Sequence, residues 1–177
     1  KDAQGLSLRN VTLKAVDTKT GKVIFEELGE MLFTHFGLSG PIVLSLSKVV
    51  TAAAEMGRGL TALIDLKPAL SEEKLDERLL RNNQKFSRKH FINSLDELLP
   101  ASLIPVFVRL VGIDPHKPVN QLTKEERREM VYMLKSLPLT IKGPRPISEA
   151  IVTSGGVQVK EINPKSMASN LISGLYF

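Results

Sequence analysis

Residues 30–41 read EMLFTHFGLSGP. An apolar run, 30–34, has the look of a strand and stops at a Thr-His pair. A glycine-rich turn follows, and Ser39, Gly40 and Pro41 form a helix start: a hydroxyl cap, a small residue, and a proline in the first turn. Behind it Ile42, Leu46, Val49, Val50 and Ala53 recur at the spacing of one helical face. The remaining residues there are also mostly apolar, which predicts a helix buried nearly all round. A strand that turns directly into a helix sets the class of the fold as mixed α and β.

Working outward, residues 6–15 (LSLRNVTLKA) form a strand whose alternation slips by one place at Asn10 and Val11, as a bulge would cause. Residues 17–22 (DTKTGK) make a hairpin turn, and the chain returns as a strand from Val23. Residues 60–66 (LTALIDL) form another strand. From about 67 to 138 the pattern is helical. One helix begins at Ser71 with Leu75, Leu79 and Phe86 on a face. A second carries Phe91, Ile92, Leu95, Leu98 and Leu99. A third, capped by Ser102, carries Leu103, Phe107, Leu110 and Val111. A fourth opens on a capping box between Thr123 and Glu126. Strand character comes back at 139–142, 150–153, 157–160 and 171–177. The expected architecture is α+β: a discontinuous β-barrel-like subdomain, 1–66 and 139–177, interrupted by a helical subdomain, 67–138.

The 177 residues are 42% hydrophobic with a net charge of +5 and no cysteine. Disulfides, thiolate chemistry and cysteine-based zinc sites are excluded. No apolar run is long enough for a membrane-spanning helix. No signal-peptide pattern stands at 1–10, and a cytoplasmic origin fits. The chain opens on Lys1 and closes on NLISGLYF, which reads as an internal piece of a longer protein.

The charge excess sits on the helical zone. Residues 67–145 hold 15 basic and 10 acidic side chains, while the rest hold nine of each. Over 71–81 and 123–129 the signs interleave, the pattern of a solvated helix face. Residues 85–90, KFSRKH, are a dense basic patch with an aromatic inside it. They support a second reading, a protein- or nucleic-acid-interaction module, although the interleaved charge elsewhere argues against nucleic acid as a partner.

His35, His90 and His116 have no partner at metal-ligand spacing, so no metal is expected. Neither a G-x-S-x-G elbow nor a dinucleotide or phosphate-binding glycine loop occurs. What remains is the turn at 34–41, where Gly37 permits a positive φ and Gly40 allows a backbone or a ligand to come close. The helix N-terminus behind it suits an anion or an electron-rich carbonyl edge. A second glycine turn lies in residues 150–161, AIVTSGGVQVKE. There Gly155 and Gly156 follow a strand end at Thr153, either as a hairpin turn or as a surface for a flat ring.

Taken together, GEMLFTHFGLSGP (29–41), AIVTSGGVQVKEINPKSM (150–167) and GLYF (174–177) resemble the BaiN-type NAD(P)/FAD-dependent oxidoreductases, the aminoacetone-oxidase-like flavoproteins. GIDPHKPVNQLT (112–123) and LKSLP (134–138) are weaker matches. The resemblance covers nearly the whole chain. It implies an insert region, a β-barrel-like subdomain with a helical one set into it, between the two halves of an FAD domain. Both flanking flavin-binding segments of the family, the N-terminal glycine-loop fingerprint and the segment opening Ala-Gly-Glu, are absent from these residues. The implied function is that of the substrate-side domain of an FAD-dependent oxidoreductase, inactive alone, whose partners are the missing FAD-binding halves and a small-molecule substrate. NAD(P) is the implied second cofactor. Thr34, His35, Gly37, Ser39 and Gly40 would then face the flavin or the substrate space, with Thr153, Gly155 and Gly156 as a second wall. His35 is the one catalytic candidate, as a proton donor.

Overall fold

The computed structural model describes residues 3–150, 153 and 155–177. They fall into two compact units, Lys1–Pro144 and Arg145–Phe177. In the first, five strands form one antiparallel sheet in the order β3-β2-β1-β4-β5. The strands are β1 Ser7–Asp17, β2 Val23–Phe33, β3 Leu38–Ser39, β4 Leu60–Asp65 and β5 Leu137–Ile141. The helices are α1 Pro41–Glu55, α2 Glu72–Lys85, α3 Ile104–Val111 and α4 Lys124–Lys135. The sheet curls into half a barrel, and the α+β class read from the sequence is the class observed.

The slip in β1 is a real bulge. Its register against β2 shifts between Leu8 and Val11, and Asn10 takes a φ of 55°. Asparagine tolerates that left-handed geometry better than most residues. Beyond the bulge, Val11, Leu13 and Ala15 point into the core. The hairpin that follows is tied by Asp17, whose Oδ1 accepts from the amides of Thr20 and Lys19, both at 2.9 Å. Those two amides hold the Asp17 carboxyl below its ordinary value.

The chain leaves the sheet at the end of β4 and returns at the start of β5. Those two strands are neighbours, with Ile64 opposite Leu137. All of α2, α3 and α4 are therefore an excursion that begins and ends at one place. Lys135, the last residue of α4, holds the two ends together. Its Nζ lies 2.6 Å from Asp65 Oδ2 and donates to the carbonyls of Lys67 and Leu70 at 3.1 and 2.7 Å. Nearby, the Leu66 amide donates to the Leu134 carbonyl at 2.8 Å. Arg127 braces α4 against α2 through both carboxylate oxygens of Asp76. One apolar cluster runs from Leu13, Met31 and Ile64 of the sheet through Ile42 of α1 to Leu75, Phe107 and Leu134 of the helices.

Several local expectations are corrected. The helix expected at 91–99 is only a 3₁₀ turn, Phe91–Ser94, followed by further turns. Ser94 is buried and donates its hydroxyl to the Phe91 carbonyl at 2.7 Å, a local bond that competes with helix extension. Leu103, not Ser102, precedes the first residue of α3, and Val108 is buried while Leu110 is 41% exposed. Phe86 caps the end of α2, half-buried, instead of joining Leu75 and Leu79 in the core. α1 buries Ile42, Leu46, Val50 and Ala53 and leaves its opposite face to solvent. The capping box at Thr123 and Glu126 is present as read.

In the Arg145–Phe177 unit the strands expected at 157–160 and 171–177 are not formed. Val159–Glu161 is a 3₁₀ turn, and among the described residues of this unit pairing is limited to the bridges Ile162 with Ser169 and Ala168 with Tyr176. Side chains replace ladder bonds. Asn163 Oδ1 accepts from the amides of Lys165 and Ser166, and Ser169 Oγ from those of Leu171 and Ile172. Of the strand expected at 150–153, residues 151 and 152 lie outside the described residues. Among the described residues of this unit no apolar side chain is buried.

Two consequences are measurable by urea unfolding. Lys135→Ala leaves the shielded Asp65 carboxylate without its cation and is expected to lower stability by about 3 kcal/mol; a loss under about 1 kcal/mol would contradict the clasp. At Gly40, φ is 100° and an added Cβ would stand 2.9 Å from the Met31 Cα. Gly40→Ala is expected to cost about 1–3 kcal/mol from backbone strain alone; an unchanged midpoint would contradict that close approach.

Candidate functional site

The turn between β2 and α1 is built by Thr34. Its amide donates to the Gly37 carbonyl at 2.8 Å, and its hydroxyl exchanges bonds with the Gly37 carbonyl and amide, each at 3.1 Å. Two residues, His35 and Phe36, are thereby pushed out at the tip, both exposed. Their rings meet edge to face, 5.0 Å between centroids and 80° between planes. Gly37 takes a φ of 151°, with open space where a Cβ would stand.

The return arm differs from the sequence reading. Ser39 does not cap α1. It lies in β3, where it pairs with Leu32 of β2. The cap is Gly40, and no side-chain hydrogen bond is made there. The small residue is needed for the backbone of β2, since a Cβ on Gly40 would press on Met31 Cα, Glu30 O and Leu32 N. Of the two approaches Gly40 allowed, backbone or ligand, the structure uses it for backbone. Gly29 serves the packing of β2 against α1 as well, where an added Cβ would press on Ile42 Cγ2.

This seating fixes the start of α1 beside the exposed tip. The first turn of α1 contains Pro41 and no acidic residue. Nothing acidic in that turn therefore answers the positive end of its dipole. The five candidates Thr34, His35, Gly37, Ser39 and Gly40 thus share one loop. Thr34, Gly37, Ser39 and Gly40 shape it, and His35 is the one that presents a reactive side chain.

Thr153, Gly155 and Gly156 belong to the Arg145–Phe177 unit. All three are exposed, and the glycines take φ values of 125° and 112° with nothing within 4 Å of an added Cβ. Such a pair can lie against a flat ring. Among the described residues, neither stretch forms a cradle for a pyrophosphate.

A cavity of about 300 Å³ lies elsewhere, where the β1 bulge faces the connection after β4 and the turn at Leu98–Pro100. Arg9 and Lys67 contribute to its lining. Burial, with help from Arg78, pushes the Lys67 ammonium below its ordinary value. None of the candidate residues lines this cavity, and sequence spacing carried no sign of it, because it depends on the bulge meeting a turn far along the chain.

The basic stretch at 85–90 gains one member from folding. Residues 89–91 run antiparallel to 117–119, through Phe91 N–H to Lys117 O at 2.9 Å and Val119 N–H to Lys89 O at 3.1 Å. His116 thereby stands 5.5 Å from His90, ring centroid to centroid. No spacing rule joins those two histidines; only the pairing of the two loops does.

The comparisons fit this architecture. The family described as HI0933-like protein barrel and H2TH domain matches residues 1–152. The ribosomal RNA dihydrouridine synthase of Haemophilus influenzae is 31% identical over 98% of this chain and 39% of its own length. The protein of the same name from Escherichia coli is 29% identical over 96% of this chain and 40% of its own. The 3-dehydro-bile acid delta(4,6)-reductase of Clostridium scindens is 25% identical over 88% of this chain and 38% of its own. The chain thus spans about two fifths of the length of these curated relatives. With its curled sheet and inserted helices, this chain belongs to the HI0933-like family, in agreement with the BaiN-type flavoprotein oxidoreductase relationship carried by its motifs.

Proposed function

We propose that this chain is the substrate-side domain of an FAD-dependent reductase, lying between the two halves of the FAD domain and inert without them. The observation that carries the reading is the family match over residues 1–152, joined to a sequence that lacks any dinucleotide-binding loop. The Arg145–Phe177 unit adds support. Val159, Leu171 and Tyr176 are 81%, 71% and 67% exposed there. Apolar side chains so open to water suit a surface that seats against further chain.

The names of the relatives suggest the reaction class. Dihydrouridine is uridine with a ring double bond saturated, and a delta(4,6)-reductase saturates double bonds of a steroid. In both substrates the double bond is conjugated to a carbonyl. The chemistry a bound flavin would supply is hydride transfer to such a bond, with NAD(P)H as the source of electrons. This domain's own residues supply position and charge. The N-terminus of α1, with no acidic residue in its first turn, would favour negative charge developing on a carbonyl oxygen or on a reduced ring. His35, at the exposed tip, can deliver a proton from its imidazole to the carbon that does not receive hydride.

The test uses the full natural chain with NADPH under anaerobic conditions. A uridine-rich RNA and a 3-oxo-4-ene steroid are supplied in separate assays. NADPH oxidation coupled to loss of the ultraviolet absorption of the uracil ring or of the enone is the expected result. No coupled loss with either would contradict the reaction class. His35→Ala is expected to lower turnover by about 100-fold with an unchanged melting temperature. Unchanged turnover would remove His35 from the chemistry.

A further inference from the structure

From residue 78 to residue 94 the chain carries five basic side chains, Arg78, Arg81, Lys85, Arg88 and Lys89, and no acidic one. α2 supplies the first three, and the turn after it supplies the others. Part of this charge answers the C-terminal end of the α2 dipole. Glu97 engages two members: Lys85 Nζ lies 2.6 Å from its carboxylate, and Arg78 donates to its backbone carbonyl at 3.2 Å. Arg81, Arg88 and Lys89 are exposed, and among the described residues no carboxylate pairs with them.

Aromatic groups sit inside this charge. Lys89 Nζ and Lys85 Nζ lie 4.4 and 4.8 Å from the centroid of Phe86. The pairing of residues 89–91 with 117–119 adds the His90–His116 ring pair to the same end of the helical excursion. Lys117 is neutralised, with its Nζ 2.6 Å from Glu126. The result is an aromatic ring and two imidazoles bordered by three cations that no carboxylate among the described residues neutralises, one of them, Lys89, lying over the ring.

Cations alone would suit any polyanion. Rings set among them suit a nucleic acid whose bases are unstacked, because each base has a face to lay on a ring and a phosphate beside it. A duplex hides those faces, and an acidic peptide has none. We infer that the end of α2, the Phe86–His90 turn and His116 form a binding surface for single-stranded or looped RNA. Arg81, Arg88 and Lys89 contact phosphates, and Phe86 stacks on a base. This inference rests on the reading of the domain as the substrate side of a reductase, and it makes that substrate an RNA.

The test measures fluorescence anisotropy of a labelled uridine-rich RNA hairpin with the full natural chain. The variants are Arg88→Glu/Lys89→Glu, Arg81→Gln/Arg88→Gln and Phe86→Leu. The expected wild-type affinity falls steeply with salt. Charge reversal is expected to weaken it about 10-fold or more and to flatten the salt slope. Phe86→Leu, which keeps an apolar side chain in place, is expected to weaken it about 5-fold or more. Should charge reversal disturb folding, the exposed glutamine pair reads the same loss of affinity as a smaller shift. Variants that bind RNA as the wild type does would overturn the surface. So would a wild type that binds anionic lipid vesicles or polyglutamate as tightly as RNA. The visible spectrum of the same samples separates the two levels: yellow protein with unaffected RNA binding sinks this surface and leaves the flavin reading standing, while colourless protein sinks the flavin reading itself.

Discussion

The fold depends on a closure constraint at the neighbouring ends of β4 and β5. Because Ile64 pairs with Leu137, everything between them must leave the sheet and return to the same point. Three helices and their turns obey that constraint through Lys135, which holds Asp65 and two carbonyls of the departing segment at once. An ammonium so shielded costs desolvation, and it is stable there because these partners are all oxygen acceptors. Without the clasp, the register of α2 and α4 on the sheet would rest on their apolar packing, the Leu66–Leu134 backbone bond and the Arg127–Asp76 pair.

Much of this architecture was legible in the chain. The bulge at Asn10, the hairpin after Asp17, the capping box at Thr123 and the helices between β4 and β5 all follow from short-range patterns. The failures have physical reasons. Ser39 looked like a cap because hydroxyls favour that place, but β3 needs its backbone, and Gly40 must lie flat on β2. Residues 91–99 are apolar enough for a helix, yet the Ser94 hydroxyl takes the Phe91 carbonyl and turns the chain. Val157 and Val159 read as strand, but a strand needs a partner ladder, and the described residues of that unit provide only single bridges.

The candidate site was legible in part for the same reason. Its residue types were visible at 34–41, but their division of labour was not. Gly40 is used for backbone packing, Thr34 closes the turn, and the outcome is that His35 and Phe36 stand exposed next to a helix start with no side-chain cap bond. The pairing of His90 with His116 was invisible, since it arises from two loops meeting across the helical excursion. Local geometry is written in local sequence; a site assembled by distant loops is not.

On this account the domain is one wall of a flavin enzyme whose cofactor is held by other segments. The visible absorbance spectrum of two purified samples, this chain and the full natural chain, tests that most directly. A colourless domain beside a yellow full-length protein is the predicted result. A colourless pair would contradict the flavoprotein reading, and a yellow isolated domain would contradict the claim that its glycine turns cannot hold the cofactor by themselves.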